Sequence, residues 1–386
     1  MLSIGMFTYS TKPRGSVVHA TSLAEALARR GHDVTVYALA KPGAALYRPI
    51  ACRLELIAAG EAPAQSADLI RQRIAEFARG FDACPLRHDV LHAQDCLAAN
   101  ALLASRSNRV GAVVRTVHHV ERFEDPYLVE CQRRSILEAD ALIAVSRLTG
   151  REVFEQFGRK STMIHNGVDT QRFERGETRG RDWLARTFGV GEGDTVILSV
   201  GGVEPRKNTR MALAAVAAVY EKFPRVAWIV VGGHSIWDNA EYAARFEADR
   251  ARLPAALAAR IIRTGSVAED ELTDLYRLSD VLLCTSLHEG FGLSVLESMA
   301  AGTPVVVPDR QPFTEYLDEP SATFADPQSV ESIAAALTRL VRDPSLRAAR
   351  AAAARRRAAT FSWDQAALEH TVTYQNIRAP KVIDHA

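Results

Sequence analysis

Short, nearly continuous apolar runs alternate along this chain with polar or glycine-bearing turns and with stretches whose apolar residues recur every three or four positions. Runs of the first kind suit strands buried on both faces, as in parallel sheets; the second kind suits amphipathic helices. In the first half the pattern predicts strands at Ser3–Tyr9, Asp33–Leu39, Val90–Ala93, Ala112–Val117, Ala141–Val145 and Thr162–His165. Helical stretches such as Val17–Arg30, Leu97–Ser105 and Leu148–Phe157 separate them. Strands and helices at this spacing imply parallel βαβ units.

The rhythm breaks between Val168 and Asp194, where Gly176, Gly180, Gly189, Gly191 and Gly193 stand among charges. This reads as a linker with one short helix over Arg181–Phe188. The rhythm then restarts, with strands at Val196–Val200, Ala227–Val231, Ile261–Thr264, Val281–Cys284 and Val305–Val307. The expected fold is α/β: two Rossmann-like, doubly wound domains facing across a cleft, residues 1–170 and 171–361. Leu346–Ala359 is rich in Ala and Arg, both strong helix formers, and reads as a solvated helix, with a weak peripheral membrane contact or docking of an acidic partner as the minor alternative. A final amphipathic helix begins at Trp363.

Composition narrows the picture. With 386 residues the chain is long for one core, and 47% hydrophobic with 24% charged residues is an ordinary globular balance. A net charge of +1 gives no basic excess for gripping nucleic acid. The five cysteines are scattered without a C-x-x-C pair, which suggests neither a disulfide framework nor a zinc site and favours a reducing compartment. No apolar run approaches the roughly 18 residues of a membrane span. A cytoplasmic location is expected.

Open α/β sheets bind ligands in the loops beyond the carboxyl ends of their strands, so chemistry is sought there. The most informative segment is HEGFGLSVLESMAAGTPVVVPD, residues 288–309. It leaves a strand, passes Gly290, Phe291 and Gly292, and enters a helix at Leu293, whose unpaired N–H groups favour an anion. Glu289 lies in the loop and Glu297 in the first turns of the helix. Two such glutamates alone could be solvated helix-end charges; the glycine-rich strand–loop–helix setting argues for a site. A second segment, LSVGGVEPRKNTRMALAAV (198–216), brings Arg206 and Lys207 to a helix start. A departing nucleoside diphosphate can be stabilised by a metal or by fixed cations; no D-x-D or clustered carboxylates placed for a metal are found, so the cations are preferred and no metal or cofactor is expected. In the first half, Gly15 sits at a loop-to-helix junction, His19 one turn later, and His118 and His119 end the fourth predicted strand.

The E-x7-E element, together with EPRKN (204–208), HNGVD (165–169), AVS (144–146) and HAQDCLAANALLA (92–104), resembles the family 4 retaining glycosyltransferases of the GT-B fold, in order and spacing over nearly the whole chain. The resemblance implies that Glu289 contacts the donor sugar, Glu297 the ribose, and Lys207 and Gly15 the diphosphate, with His118 close to the reacting sugar. It also implies that a last helix, residues 362–378, crosses back to complete the first domain. The family's phosphate-binding arginine commonly follows the glycine at 201; here that position is Gly202, with Arg206 as the substitute. The implied reaction is transfer from a nucleotide-sugar donor, with retention, to a sugar, lipid or small-molecule acceptor. Competing readings are an epimerase or phosphorylase on the same architecture, and a catalytically silent nucleotide-sugar binder. A dehydrogenase is disfavoured because no G-x-G-x-x-G opens a helix.

Overall fold

The computed structural model describes residues 1–63, 65–105, 111–174, 179–233 and 240–378. Of the predicted linker, Gly176 lies outside these. The chain divides into two compact units. Unit 1 is residues 1–167 together with the stretch from Ser362, and unit 2 is Val168–Phe361.

Unit 1 has strands β1 (Ser3–Thr8), β2 (Asp33–Ala40), β3 (Arg53–Ala58), β4 (Val90–Ala93), β5 (Ala112–Val117), β6 (Ala141–Ala144) and β7 (Thr162–Met163). Its helices are α1 (Gly15–Arg29), α2 (Ser66–Ala83), α3 (Cys96–Ala104), α4 (Pro126–Leu137) and α5 (Arg147–Phe157). The sheet order is β3-β2-β1-β4-β5-β6-β7, all parallel. β3 is absent from the sequence pattern because its residues RLELIA alternate, half-exposed, at the sheet edge. Phe7 stacks on Tyr37 at 4.5 Å between ring centroids, with Phe81 edge-on to both, making an aromatic core.

Unit 2 opens with helix α6 (Arg181–Phe188) and has strands β8 (Thr195–Val200), β9 (Val226–Val231), β10 (Ile261–Gly265), β11 (Val281–Leu283), β12 (Val305–Pro308) and β13 (Thr323–Ala325). Helices α7 (Thr209–Tyr220), α8 (Ala240–Ala251), α9 (Ala255–Ala258), α10 (Glu269–Leu278) and α11 (Leu293–Ala301) follow in chain order. After them come α12 (Phe313–Tyr316), α13 (Val330–Arg342) and α14 (Pro344–Ala358). The order is β10-β9-β8-β11-β12-β13, again parallel. Both sheets therefore reverse direction between their first and fourth strands, and that is where an open α/β sheet holds ligand.

The final helix, α15 (Trp363–Arg378), belongs to unit 1 and lies on α1. Trp363 meets His19 edge-on at 5.2 Å, Asp364 pairs with Arg29 at 2.9 Å, and the Tyr374 hydroxyl hydrogen-bonds His92 Nδ1 at 2.7 Å. A Cβ at Gly167 would stand 2.2 Å from the backbone N of Trp363, so the glycine of HNGVD is required by that backbone crossing. Other motif residues act as helix caps. Ser146 of AVS accepts from Thr149 N (3.1 Å), Asp95 of the HAQD segment from Ala98 N (2.7 Å), and Asp169 from Arg172 N (3.3 Å).

The Ala/Arg-rich segment is helical but is not the simple solvated helix expected. Ala354 and Ala358 are fully buried, and its arginines reach the carbonyls that end neighbouring helices. Arg355 donates to Ala301 O (3.0 Å), Arg347 to Leu340 O (2.8 Å) and Arg357 to Tyr316 O (2.6 Å). Helix carboxyl ends carry unpaired carbonyls and partial negative charge, which such cations satisfy.

Candidate active site

In unit 2 two loops meet beyond the carboxyl ends of β8 and β11. The first, 201–208, needs its glycines. Gly201 and Gly202 both have positive φ (127° and 76°). A Cβ on Gly201 would lie 2.5 Å from Lys207 Cε, and one on Gly202 would lie 2.9 Å from Gly233 O. The second loop, 284–292, is stitched to the first: Leu287 N donates to Arg206 O (2.9 Å) and Thr285 Oγ1 to Lys207 O (2.8 Å).

These loops converge on Glu289. Its Oε1 accepts from Lys207 Nζ at 2.6 Å and from Ser286 Oγ at 2.9 Å, and lies 3.2 Å from Arg206 Nη1. Burial by itself would raise the carboxyl, but Lys207, Arg206 and the Ser286 hydroxyl together hold it well below the usual carboxylate range. Lys207 and Arg206 thus do stand together, but they stand on Glu289. Arg206 also donates to His288 O at 3.1 Å.

Past Glu289, Gly292 caps α11 with φ 94°, and a Cβ there would clash with Phe313 Cε1 at 2.6 Å. No side chain caps this helix. Gly290 is buried and Leu293 half-buried. Phe291, expected among donor-binding residues, turns its ring inward: it is 3% exposed and stacked on Tyr316 at 4.6 Å, whose hydroxyl donates to Phe291 O. An aromatic ring gains most by burial, so Phe291 serves the site by anchoring its loop. Glu297, in the second turn of α11, accepts from Tyr276 Oη at Oε2 (2.9 Å) and from Arg172 Nη1 at Oε1 (3.4 Å). Burial raises its carboxyl above the ordinary value, with Arg172 opposing the rise.

In unit 1 the corresponding edge is lined mainly by imidazoles, with Arg115 of β5 and Asp95 at the start of α3 beside them. His118, just after β5, bonds Gln94 Oε1 through Nε2 at 3.0 Å and meets His19 edge-on at 4.9 Å. Burial, with His119 and Arg115 nearby, lowers its pKa to about 3, so it is a neutral imidazole. His19 is 1% exposed and part of the same core, which places it as packing beneath His118. His92 bonds Thr116 Oγ1 at 2.7 Å as well as Tyr374, and His370 of α15 lies 5.6 Å from it. His119 is separate, paired with Glu121 at 2.6 Å. Gly15 is the first residue of α1, and a Cβ added to it would meet nothing within 4 Å among the described residues. Among the described residues no group of three or more His, Cys, Asp or Glu side chains is placed to hold a metal ion, and no helix is long and apolar enough to cross a membrane.

The family models match in two blocks: "Glycosyltransferase Family 4" over residues 13–172 and "Glycosyl transferases group 1" over 184–357, between them most of the chain. The chain is a family 4 glycosyltransferase. Its relatives include D-inositol 3-phosphate glycosyltransferases of Rhodococcus opacus, 26% identical over 92% of this chain and 83% of that protein, and of Acidothermus cellulolyticus, 29% identical over 91% and 83%. Solved structures with the same fold include sucrose-phosphate synthase from Thermosynechococcus elongatus (TM-score 0.81, 20% identity, 98% of this chain and 99% of that one). Another is HepE of Anabaena in complex with UDP and glucose (TM-score 0.76, 20% identity, 97% and 100%).

Three polar groups of the glycosyltransferase escape a sequence reading. Arg172 lies in the predicted linker, Tyr276 looks like a core aromatic on α10, and Ser286 is one of many serines. Only Ser286 carried a signal, three residues before Glu289 in the same loop.

Proposed function

We propose that this glycosyltransferase takes its sugar from a nucleoside-diphosphate sugar and transfers it to an acceptor hydroxyl with retention. The observation that carries the reading is the convergence of Lys207, Arg206 and Ser286 on one oxygen of Glu289, at the switch point of the unit 2 sheet. In the free enzyme the Glu289 carboxylate occupies the cations. When a donor binds, its diphosphate shares Lys207, Arg206 and the N–H groups at the start of α11, and Glu289 turns to the sugar hydroxyls. Leaving-group charge is then met by groups already in place, which is the most effective way to lower the barrier. Glu297 accepts from the ribose, and Gly290 and Leu293 give the backbone of the donor loop. From unit 1 the reading takes Gly15, where open space allows close backbone approach, and His118, which as a neutral imidazole can donate or accept a hydrogen bond.

The cations make activity without added divalent metal the expected behaviour. HepE was solved with UDP and with UDP-glucose, which makes UDP-glucose the first donor to try. D-inositol 3-phosphate, named in the relatives, is the first acceptor. The test is release of nucleoside diphosphate from UDP-, GDP- and ADP-sugars in EDTA, with and without that acceptor. Turnover that vanishes in EDTA and returns with magnesium would overturn the cation assignment; binding of every donor without release would leave a silent binder.

A further inference from the structure

Glu297 is held by two residues that neither E-x7-E spacing nor the glycine-rich loops point to. Tyr276, on α10, donates its hydroxyl to Oε2 at 2.9 Å. Arg172 comes from the 3-10 turn Thr170–Phe173, more than a hundred residues earlier in the chain. Its guanidinium makes four separate contacts. Nε donates to Thr273 Oγ1 (2.8 Å), Nη2 to Glu269 O (3.2 Å), and Nη1 lies 3.2 Å from Glu269 Oε1 and 3.4 Å from Glu297 Oε1. Its stem is fixed as well, with the guanidinium carbon 5.4 Å over the Phe173 ring, which itself meets Tyr276 edge-on at 6.1 Å. Arg172 and Glu297 are largely buried, at 20% and 15% side-chain exposure.

An ionised carboxylate has about four lone-pair positions. Tyr276 and Arg172 take one on each oxygen and leave one on each for two neighbouring hydroxyls. A planar, five-donor guanidinium can span α10 and α11 at once, which an ammonium cannot. We propose that Arg172 is a positioning residue: it fixes Glu297 as a doubly accepting carboxylate for the ribose diol of the donor nucleotide. This rests on the assignment of Glu297 to the ribose made above.

The test uses the full chain and pairs UDP, ADP and GDP with their 2′,3′-dideoxy counterparts, measured by calorimetry. The parent binds the ribonucleotide better than the dideoxy form. In Arg172→Ala that preference falls by about tenfold, the factor that about 1.4 kcal/mol sets, while affinity for the dideoxy nucleotide is unchanged. Arg172→Lys recovers only part of it. Adding Arg172→Ala to Glu297→Ala costs nothing further, because the residue acts through the glutamate. If Arg172→Ala weakens ribo- and dideoxynucleotide equally, or adds to Glu297→Ala, the arginine merely supports the fold and the inference fails. If Glu297→Ala abolishes the preference while Arg172→Ala keeps it, the inference alone fails. A parent that does not distinguish the two nucleotides removes the ribose assignment itself, and the inference with it.

Discussion

At the carboxyl edge of the unit 1 sheet the buried polar groups are mainly imidazoles, hydroxyls and an amide, with Arg115 and Asp95 beside them; at the same edge of unit 2 the site is built on carboxylates, an ammonium and guanidinium groups. The two sheets share the reversal between first and fourth strands, so backbone topology does not explain the contrast. Solvation does. Unit 2 keeps charge inside by giving each carboxylate a cation: Glu289 has Lys207 and Arg206, Glu297 has Arg172. Unit 1 gives the four clustered histidines no carboxylate partner, unlike the separate His119 with its Glu121, so burial strips their protons. His19, His92, His118 and His370 all sit below the ordinary histidine value, each mainly through burial. One fold thus presents one edge built on ion pairs and another built mainly on neutral imidazoles, and each responds differently to proton concentration.

The largest expected effect is on unit 1. His370 falls from 6.5 to about 4 on folding. The unfolded chain therefore binds a proton below pH 6.5 that the folded chain refuses until about pH 4. Stability is full above 6.5 and drains away as pH falls through that window, by up to about 1.4 kcal/mol per pH unit. His370 alone accounts for about 3 kcal/mol by pH 4. Urea melts at pH 7.5 and 5 measure this, and His370→Gln flattens the slope. An unchanged midpoint over that range would remove the neutral-cluster description.

Next in size is Glu289→Gln. Losing the anion should lower turnover by about a hundredfold or more, as for removal of a fixed electrostatic partner. Nucleoside-diphosphate affinity should hold or rise, since Lys207 and Arg206 are released from their present partner. A parallel loss of affinity would show that the cations need Glu289 to stay in position.

Smallest is Gly202→Arg, which would restore the residue the family commonly has there. The position has φ 76° and no room for a Cβ. The left-handed backbone costs about 1–2 kcal/mol for a side-chain-bearing residue, and the contact with Gly233 O adds to it. The variant should melt lower and bind nucleoside diphosphate no better than the parent. A gain in affinity would mean the loop can reshape, and that the missing arginine was a real loss.

Most of this architecture was legible in the sequence. The apolar runs located the central strands because parallel strands are buried on both faces; α6 appears with the predicted limits and α11 with the predicted start, both being bounded by glycine. What was hidden lay where local pattern and tertiary environment part. β3 alternates at an edge, and β13 has three residues. The arginines of α14 look solvated until the carbonyls they serve are in view. At the site, the glycine-rich loops announced Glu289, Glu297 and Lys207. Nothing local shows that Arg206 and Lys207 are already paired, or that Arg172 reaches α11 from the linker, because both are long-range contacts.

The placement of α15 has a consequence for how the protein is made. Unit 2 is one uninterrupted segment, Val168–Phe361, whereas unit 1 needs the stretch from Ser362 onward. On the ribosome the second unit is therefore complete before the first. Domains usually fold in the order they emerge, at about 5–20 residues per second; here the amino-terminal unit waits roughly ten seconds or more for its last helix. Throughout that interval the seats of Trp363, Ala367, His370 and Tyr374, all buried in the finished protein, stand open on the nascent chain, so the first core to begin is the last to close.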